Sequence, residues 1–321
     1  MKVLVTGANG FVGTAVCRRL LAEGWQVTGA VRRETALPQG VEPRLVAPLG
    51  PGTPWAKALQ GIDAIVHLAA RVHVMHESAG DAEAQYRAVN TEGTLRLARE
   101  AILMGVRHLV FASSVKVNGE ATSGQPFTFE DMPAPTDAYG RSKWRAEQGL
   151  AELVHTDGGG HFRATIFRPP LVYGPGVGGN FAQMLRAIAK GWPLPLASID
   201  NRRSLIYVEN LADAIAVALR EQAGATETFL LSDGEDVSTP ELIRRLARAM
   251  GRPANLWPMP PNILMALGRM AGRGPAVQRL TESLQVRGTA FRQRFGWTPP
   301  FTLDQGLAET AAWFGGRQSP S

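Results

Sequence analysis

The segment that decides the fold spans residues 5–16 and reads VTGANGFVGTAV. It carries Gly7, Gly10 and Gly13 between an apolar run and a helical pattern. In a nucleotide-binding loop of this spacing the first glycine permits a tight turn, and the second lets backbone N–H groups approach a pyrophosphate. The third lets the helix pack closely on the sheet, and the helix N-terminus faces the anion. Because a strand pattern precedes the glycines and a helical pattern follows them, the segment predicts a dinucleotide cofactor.

The front half of the chain alternates strand and helix patterns. Short apolar or β-branched runs predict buried parallel strands over residues 2–5, 26–31, 64–68, 108–112 and 163–167. Helical patterns cover residues 11–23, 55–60, 83–104 and 138–155, and the glycines of residues 157–160 end the last of them. This alternation predicts an α/β fold with a doubly wound parallel sheet, the Rossmann arrangement.

The regular alternation of strand and helix patterns ends after Pro169. Beyond it, glycine and proline become frequent, and longer connections join the helical patterns. Those later patterns cover residues 181–190, 209–220 and 240–250. We therefore predict a Rossmann domain over residues 1–170 and a smaller C-terminal substrate-binding lobe mainly over residues 171–316, with elements of the two interleaved. Residues 317–321 are expected to form a flexible tail.

Composition excludes several classes of protein. The 321 residues are 45% hydrophobic and 19% charged, as in an ordinary globular protein. The net charge is +6, but the arginines are scattered without a basic run among aromatics, which argues against a nucleic-acid partner. The single cysteine, Cys17, lies in a helical pattern and fits a core position in a reducing cytoplasm. Because the first residues already have a strand pattern, no targeting segment is expected.

One late apolar stretch, residues 261–272, raises the question of a membrane. It is too short and too interrupted to span a bilayer. It could lie on a membrane surface, but we expect a helix packed against the protein.

The end of the second strand lacks the acidic residue that usually holds a ribose. Val31 stands there, followed by Arg32 and Arg33. An arginine at this point can bind a ribose 2′-phosphate, which favours NADP over NAD. The alternative is that both arginines point to solvent, so the cofactor is NAD or NADP.

The sequence YGRSK places Tyr139 and Lys143 on one face of a helix, one turn apart. A nearby ammonium and the positive ring of a nicotinamide both favour phenolate over phenol. Lowering a tyrosine pKa of about 10 by about three units requires roughly 4 kcal/mol. We expect the two cations to supply this, so that Tyr139 can exchange a proton with a sugar hydroxyl near neutral pH.

Together these motifs resemble the extended short-chain dehydrogenase/reductase family, and within it the NAD-dependent epimerase/dehydratase group. The matching motifs are the glycine segment, VHLAA at residues 66–70, VN at 89–90, SS at 113–114, the Tyr-Lys pair and FGWTP at 295–299. Their order and spacing hold over essentially the whole chain. The resemblance is greatest to the UDP-glucose 4-epimerase and UDP-4-keto-hexose reductase branch.

The resemblance implies catalytic roles for four residues. Ser114 would hydrogen-bond the C4 oxygen of the substrate, and Tyr139 would move the proton. Lys143 would tune Tyr139 and hold the nicotinamide ribose. Asn90 matches an asparagine with structural and cofactor-side roles. Ser113 is either a substitute for Ser114 or a cap of the strand end.

The resemblance also implies binding residues. Those for the cofactor are Gly7, Asn9, Gly10, Phe11, Val12, Gly13, Arg32, Arg33, Leu68, Ala69, Ala70, Asn90, Tyr139, Lys143 and Pro170. Those for a UDP-sugar are Ser114, Tyr139, Asn180, Arg203, Arg279 and Glu282, with Arg202 as the alternative to Arg203. An arginine suits this task because its fork pairs bidentately with phosphate oxygens. No metal is expected, although His67, His73 and His76 cluster loosely along the sequence.

Two departures from the family pattern bear on the reaction. The dehydratase branch has Asp-Glu after the hydroxyl residue, whereas this chain has Val115 and Lys116. Without that acid/base pair, elimination lacks its proton carriers, and we expect Lys116 to be solvated or to face the substrate. Leu171 stands where many epimerases have an asparagine, and it cannot hydrogen-bond the sugar.

These features predict an oxidoreductase acting at C4 of a UDP-hexose, with a 4-keto-sugar reductase slightly favoured. The first alternative is a UDP-glucose or UDP-N-acetylglucosamine 4-epimerase with tightly bound NAD. An alternative of another class is a non-catalytic, cofactor-sensing protein of the same fold. The resemblance further implies a homodimer through a four-helix bundle of the helices at residues 83–104 and 138–155.

Overall fold

A computed structural model describes residues 1–72, 79–157, 161–221 and 226–316. His73, His76, the glycines at 158–160 and the predicted tail at 317–321 lie outside these ranges. The strands are β1 Lys2–Thr6, β2 Gln26–Val31, β3 Val41–Leu45, β4 Ala64–His67, β5 His108–Ala112, β6 Arg163–Arg168, β7 Leu171–Tyr173, β8 Arg203–Tyr207, β9 Thr226–Leu230 and β10 Asp236–Val237.

The α-helices of the same ranges are α1 Phe11–Ala22, α2 Ala56–Leu59, α3 Ala79–Tyr86, α4 Gly93–Leu103, α5 Ala138–Thr156, α6 Gly179–Ala189, α7 Val208–Arg220, α8 Thr239–Ala249, α9 Pro261–Met270, α10 Gly274–Thr281, α11 Thr289–Phe295 and α12 Leu303–Gly316. A π-helical turn, Arg87–Glu92, joins α3 to α4, and a 3₁₀ turn, Val115–Val117, follows β5.

The large sheet has seven strands in the order β3-β2-β1-β4-β5-β6-β9, and each neighbouring pair is parallel. β1 lies between β2 and β4, with Thr6 opposite Ala30 and His67. The chain order therefore reverses beside β1, and the carboxyl ends of the strands open a crevice there for a ligand. The predicted doubly wound α/β fold is confirmed.

β3 and β9 are the two strands of the large sheet that the sequence patterns did not place, and β3 shows why. Its residues, VEPRL, include a proline and two charges, and only Val41 is buried. β3 pairs with β2 alone, at the edge of the sheet. An edge strand tolerates proline and exposed charge, so it lacks the apolar run by which the buried strands are recognised.

Helices cover both faces of the large sheet. On one face α1 packs beside α7, and an ion pair with Arg19 Nε 3.0 Å from Asp213 Oδ1 joins them. On the other face a second apolar core collects buried side chains of α2, α4 and α5, among them Leu59, Leu97 and Leu150. The glycine segment thus leads into a helix that packs against the sheet and α7.

The small lobe is built around a three-stranded sheet in the order β10-β8-β7. Residues 283–287 lie between β8 and the loop at 122–127, because Ser204 N donates to Leu284 O and Phe127 N donates to Gln285 O. β9, which follows the lobe's first elements, returns to the large sheet and pairs with β6. Elements from the second half of the chain therefore enter both sheets.

The helix expected to pack against the protein, α9, does so on one face only. Leu264 packs against the larger apolar core, which contains buried side chains of α1 and α7. Gly268 is buried against α10, where an added Cβ would come within 2.5 Å of Val277 Cγ2. The opposite face leaves Ile263 and Met270 exposed. No helix in the described part of the chain is long and apolar enough to cross a membrane.

The third glycine of the first turn provides a test of the fold. A Cβ built on Gly13 would lie 2.0 Å from Gly7 O and 2.8 Å from Gly7 C, which are backbone atoms that cannot move aside. We expect Gly13→Ala to lower the free energy of unfolding by about 3 kcal/mol or more, as overpacking against a rigid backbone does. Urea unfolding followed by circular dichroism measures the change.

The matched control is Gly52→Ala, because no atom lies within 4 Å of a Cβ built there. Its effect should stay within about 0.5 kcal/mol. Equal effects of the two substitutions would contradict the close helix–strand approach at Gly13.

Candidate active site

The glycine turn forms the floor of the crevice. Gly7 has φ +69°, a conformation that favours glycine, and its carbonyl accepts a hydrogen bond of 2.9 Å from Gly10 N. α1 begins at Phe11 with no side-chain cap on its N-terminus. The first N–H groups of α1 are therefore available to an anion at the carboxyl edge of the sheet.

A buried hydroxyl network joins this turn to the next strand. Thr6 Oγ1 accepts hydrogen bonds from Leu68 N and Ala69 N, both of 3.1 Å. It also lies 2.7 Å from His67 Nδ1, and His67 Nε2 lies 2.9 Å from Thr94 Oγ1. Burial lowers the pKa of His67 to about 3, with a contribution from Lys143. His67 is therefore a neutral structural residue.

Asn90 lies in the π-helical turn and links three segments. Its Oδ1 accepts from Arg71 N at 2.8 Å, and its Nδ2 donates to Arg71 O and to Ser142 Oγ, each at 3.0 Å. Ser142 Oγ in turn donates to Tyr139 O at 2.7 Å. Asn90 thus holds the strand end at residues 69–71 against the helix that carries Tyr139. π-helical turns often mark functional sites.

Tyr139 and Lys143 lie where their spacing predicts, on one face of α5. Lys143 is buried, and its Nζ donates a hydrogen bond of 2.8 Å to Ala112 O at the end of β5. The same nitrogen lies 4.5 Å from the ring centroid of Phe111 and 5.9 Å from that of Tyr139. Tyr86 meets Tyr139 edge to face, with ring centroids 6.1 Å apart. The phenol is thereby held over the lysine.

In the protein alone the pKa of Tyr139 shifts in the direction opposite to the one expected for Lys143 and a nicotinamide acting together. Burial raises the pKa of Tyr139, and the charge of Asp137 raises it further. Burial also lowers the pKa of Lys143 to about 7. The reason is that desolvation acts on both groups and weakens the cation on which the expected shift depends. The lysine alone therefore does not make the tyrosine acidic.

A buried ion pair lies one turn beyond Lys143. Glu147 Oε2 is 2.5 Å from Arg168 Nη2, and both side chains are at most 4% exposed. Ser113 Oγ donates to Glu147, and Arg168 Nη1 donates to Asn118 Oδ1 at 3.1 Å. The hydroxyl of Ser113 is thus bound in this network, so Ser113 is neither a strand-end cap nor available to substitute for Ser114.

Ser114 begins the 3₁₀ turn after β5. Its Oγ accepts from Lys116 N at 3.2 Å, and its side chain is partly exposed at the same strand end to which Lys143 is bonded. Lys116 differs from the expectation of a solvated or substrate-facing cation. Its Nζ pairs with Asp137 and, at 2.9 Å, with Glu120, and these pairs raise the pKa of Lys116 against the effect of burial. Lys116 is therefore held in ion pairs with two carboxylates of the protein.

A cleft of about 740 Å³ lies above the glycine turn. It is lined by Thr6, Gly7, Asn9, Ala30, Val31, Arg32, Arg33, Val46, Ala47, Pro48, Leu49, Trp55, Ala69, Ala70, Arg71 and Val89. These residues include three arginines and no carboxylate. A cleft of this size and charge, beside an uncapped helix N-terminus, fits an anionic dinucleotide.

The predicted cofactor residues are only partly gathered by this cleft. Gly7, Asn9, Arg32, Arg33, Ala69 and Ala70 line it, and Leu68 and Gly13 adjoin its floor. Phe11 and Val12, in the first turn of α1, are half-buried, and Phe11 lies against Gly176. Pro170 is buried after β6, and the carbonyl of the preceding Pro169 accepts from Val115 N at 3.0 Å.

Three of the predicted substrate residues come together in the small lobe. Arg203 Nη1 donates to Arg279 O at 2.9 Å and to Glu282 O at 3.1 Å. Burial and the nearby charge of Arg279 lower the pKa of Arg203. Asn180 lies exposed in the first turn of α6, and Leu171 is exposed at the start of β7.

Sequence reasoning missed several residues of the site. Trp55 and residues 46–49 line the cleft. No motif marks them in the sequence, because they come after the edge strand β3, which has no apolar run of its own. Arg71 follows the VHLAA motif directly, and that position could have signalled it. Glu147 lies four residues after Lys143, on the same helix face, which is the one sequence signal for the buried ion pair. The described residues contain no cluster of potential metal ligands.

Comparison with known proteins identifies the family. The model of the NAD dependent epimerase/dehydratase family matches residues 3–231. A UDP-glucose 4-epimerase of Vibrio cholerae is 41% identical over 316 residues, which cover 98% of this chain and 95% of that protein. An N-acetyl-alpha-D-glucosaminyl-diphospho-ditrans,octacis-undecaprenol 4-epimerase of Escherichia coli O157:H7 is 27% identical and covers 96% of this chain and 94% of its own.

The solved structures agree with this match. A UDP-glucose 4-epimerase of Thermus thermophilus in complex with NAD superposes with a TM-score of 0.79 at 26% identity, over 98% of this chain and 99% of that chain. The resemblance seen in the motifs is confirmed. The chain belongs to the NAD-dependent epimerase/dehydratase family of extended short-chain dehydrogenase/reductase enzymes.

Proposed function

We propose that this protein is a UDP-hexose 4-epimerase that works with bound NAD. The observation that carries the proposal is the pair of Tyr139 and buried Lys143 at the carboxyl edge of the sheet, beside the dinucleotide cleft. The sequence patterns slightly favoured a 4-keto reductase. The near full-length likeness to a UDP-glucose 4-epimerase moves the preference to epimerisation.

In the proposed reaction Tyr139 Oη removes the proton of the C4 hydroxyl and later returns it. Ser114 Oγ hydrogen-bonds the C4 oxygen and fixes its position. NAD, when bound, supplies the hydride acceptor at C4 and the hydride that returns to the opposite face of the keto-sugar. Lys143 and the charge of the oxidised cofactor act together on Tyr139, since burial outweighs the lysine acting alone.

The diphosphate end of the substrate is proposed to bind at Arg203 and Arg279, with Glu282 nearby for the ribose. Arg203 is already oriented by two backbone carbonyls, and its remaining donors can pair with phosphate oxygens. Asn180 is proposed to meet the diphosphate from the start of α6. Leu171 leaves the sugar without a hydrogen bond from that position.

A second candidate function, a 4-keto reductase using NADPH, is supported by one observation. Arg32 and Arg33 line the adenosine end of the cleft, and the lining there contains no carboxylate to repel a ribose 2′-phosphate. A reductase releases its oxidised cofactor after each turnover, whereas an epimerase retains NAD. The two functions therefore differ in what the purified protein carries.

Three wider features belong to the same proposal. The Rossmann domain at 1–170 and the lobe at 171–316 act together. The protein works in the cytoplasm, and it forms a homodimer through the helical stretch of α3 and α4 and through α5. Within one chain an ion pair with Glu83 Oε2 2.6 Å from Arg141 Nη2 already joins the two helices. A non-catalytic, cofactor-sensing role is the least favoured, because Ser114, Tyr139 and Lys143 are all retained.

Substitution of the proposed proton carrier tests the chemistry. We expect Tyr139→Phe to lower kcat about 10³-fold, because it removes the hydroxyl that exchanges the proton. The assay is interconversion of UDP-glucose and UDP-galactose, and of their N-acetyl forms. Tyr207→Phe is the control, since that buried tyrosine lies in the small lobe's sheet. Full activity in Tyr139→Phe would overturn the catalytic proposal.

The cofactor separates the two candidate functions. We expect the purified protein to retain NAD and to interconvert the C4 epimers without added cofactor. Oxidation of NADPH by an apo protein, only in the presence of a 4-keto-sugar, would instead establish the reductase. In that case the Arg32→Ala/Arg33→Ala double variant should weaken NADPH binding about tenfold or more and leave NADH binding unchanged.

Burial of Lys143 predicts a pH dependence of stability. Its pKa is about 7 in the folded protein, against 10.5 for the exposed side chain, so between these values the unfolded chain binds more protons. The contribution of Lys143 to the free energy of unfolding therefore rises from pH 7 to pH 10.5, by roughly 5 kcal/mol at most. Lys143→Met, which removes the titration, should reduce this rise.

The measurement is urea unfolding of both proteins at pH 7 and at pH 10. Lys57→Met is the control, because Lys57 is exposed in α2, and it should leave the pH profile unchanged. Parallel profiles for the wild type and Lys143→Met would contradict the lowered pKa.

A further inference from the structure

A second surface of the molecule combines exposed apolar side chains with positive charge. The outer face of α9 exposes Ile263, Leu267 and Met270, of which Met270 is 84% exposed. Their spacing of four and three residues places them on one stripe, opposite to the buried Gly268. A surface helix normally packs its apolar stripe against the core. In the described part of the chain, this stripe instead faces solvent.

Two exposed tryptophans lie on the segment that leads into α9 and on a second segment bonded to it. Trp257, 43% exposed, lies four residues before α9, and Trp192, 55% exposed, follows α6. The segments that carry them are held together, because Trp257 N donates to Leu194 O and Leu194 N donates to Asn255 O. Tryptophan is enriched where one side of a surface is apolar and the other is wet.

The segments that carry these side chains are positively charged, and the nearest acid along the chain, Glu282, directly follows the second of them at the end of α10. Residues 190–197 and 251–281 contain Lys190, Arg252, Arg269, Arg273 and Arg279, and they contain no aspartate or glutamate. Lys190 Nζ lies 5.0 Å from the ring centroid of Trp192, and Arg252, Arg269 and Arg273 are exposed. We call the exposed apolar residues, together with Lys190, Arg252, Arg269 and Arg273, the basic apolar surface.

A contrasting apolar patch carries negative instead of positive charge. Phe129 and Met132 are also exposed, Met132 to 87%, but Glu130 and Asp131 separate them. An exposed apolar patch with acidic neighbours is repelled by an anionic surface, whereas the basic apolar surface is attracted to one. A helix with an apolar face, flanking tryptophan and arginine is the pattern of an interfacial helix, which lies in the plane of a membrane.

We propose that the basic apolar surface docks on an anionic lipid bilayer, with α9 lying in the interface. Ile263, Leu267 and Met270 enter the boundary between headgroups and acyl chains, and the tryptophans lie at the headgroup level. Arg252, Arg269, Arg273 and Lys190 pair with lipid phosphates. The attachment is peripheral and reversible, because a single apolar stripe and a few cations bind far more weakly than a spanning helix.

The test is flotation of the full-length protein with vesicles. The vesicles are phosphatidylglycerol and phosphatidylcholine in equal parts, compared with phosphatidylcholine alone. The wild type is expected to float with the anionic vesicles and to be released by salt. The Leu267→Glu/Met270→Glu variant is expected to lose binding roughly tenfold or more, because it removes the apolar stripe and adds negative charge. Arg269→Glu/Arg273→Glu is expected to lose binding to the anionic vesicles to a similar extent.

Met132→Glu is the matched control, since it places the same charge at an equally exposed methionine outside the surface. All variants are first checked for wild-type thermal unfolding, which is expected because each substituted side chain is exposed. Absence of flotation by the wild type, or an equal loss in Met132→Glu, would overturn the proposal. It would also be overturned if Leu267→Glu/Met270→Glu abolished self-association in sedimentation velocity without vesicles, because the surface would then bind a second copy of the chain.

Discussion

The hydrogen bond from Lys143 Nζ to Ala112 O is the interaction on which the site depends. It fixes a basic nitrogen between the end of β5 and the middle of α5, away from water, and it sets the rotation of the helix over the sheet edge. Because Tyr139 lies one turn earlier on the same face, that rotation also sets the position of the phenol. A buried amine without a carboxylate in direct contact is costly, and the fall of its pKa to about 7 expresses that cost.

The buried pair of Glu147 and Arg168 explains how the fold tolerates such a lysine. Glu147 is one turn beyond Lys143, and its charge is the one that raises the lysine pKa against burial. Arg168 and Ser113 hold the Glu147 carboxylate, so it cannot turn to form a direct ion pair with the lysine. The lysine is therefore stabilised at a distance, and the N–H donors that do not bind Ala112 O remain for the site. Tyr139, Lys143 and Glu147 thus follow one another along one face of α5, the first two at the site and the third in the buried ion pair.

The sequence predicted the parts of this arrangement that are local. The glycine turn, the buried strands and the Tyr139–Lys143 spacing all follow from short periodic patterns, and the structure places them as expected. The features that the sequence did not predict depend on contacts between distant segments. One of the two partners of Lys116, Asp137, lies about twenty residues away along the chain. The sign of the Tyr139 pKa shift depends on burial, which no spacing reveals. β3 escaped detection because an edge strand need not be apolar.

The small lobe connects the proposed substrate site to the proposed membrane surface. Arg203 is bonded to the carbonyl of Arg279, in the last turn of α10, and α10 packs on α9 where Gly268 meets Val277. The side chains that would hold the diphosphate are therefore attached to the helix that would lie on the lipid. A UDP-sugar reaches such a site from solution, and a sugar diphosphate attached to a lipid would reach it from the bilayer. Docking through α9 would therefore hold the proposed UDP-sugar site close to the bilayer surface.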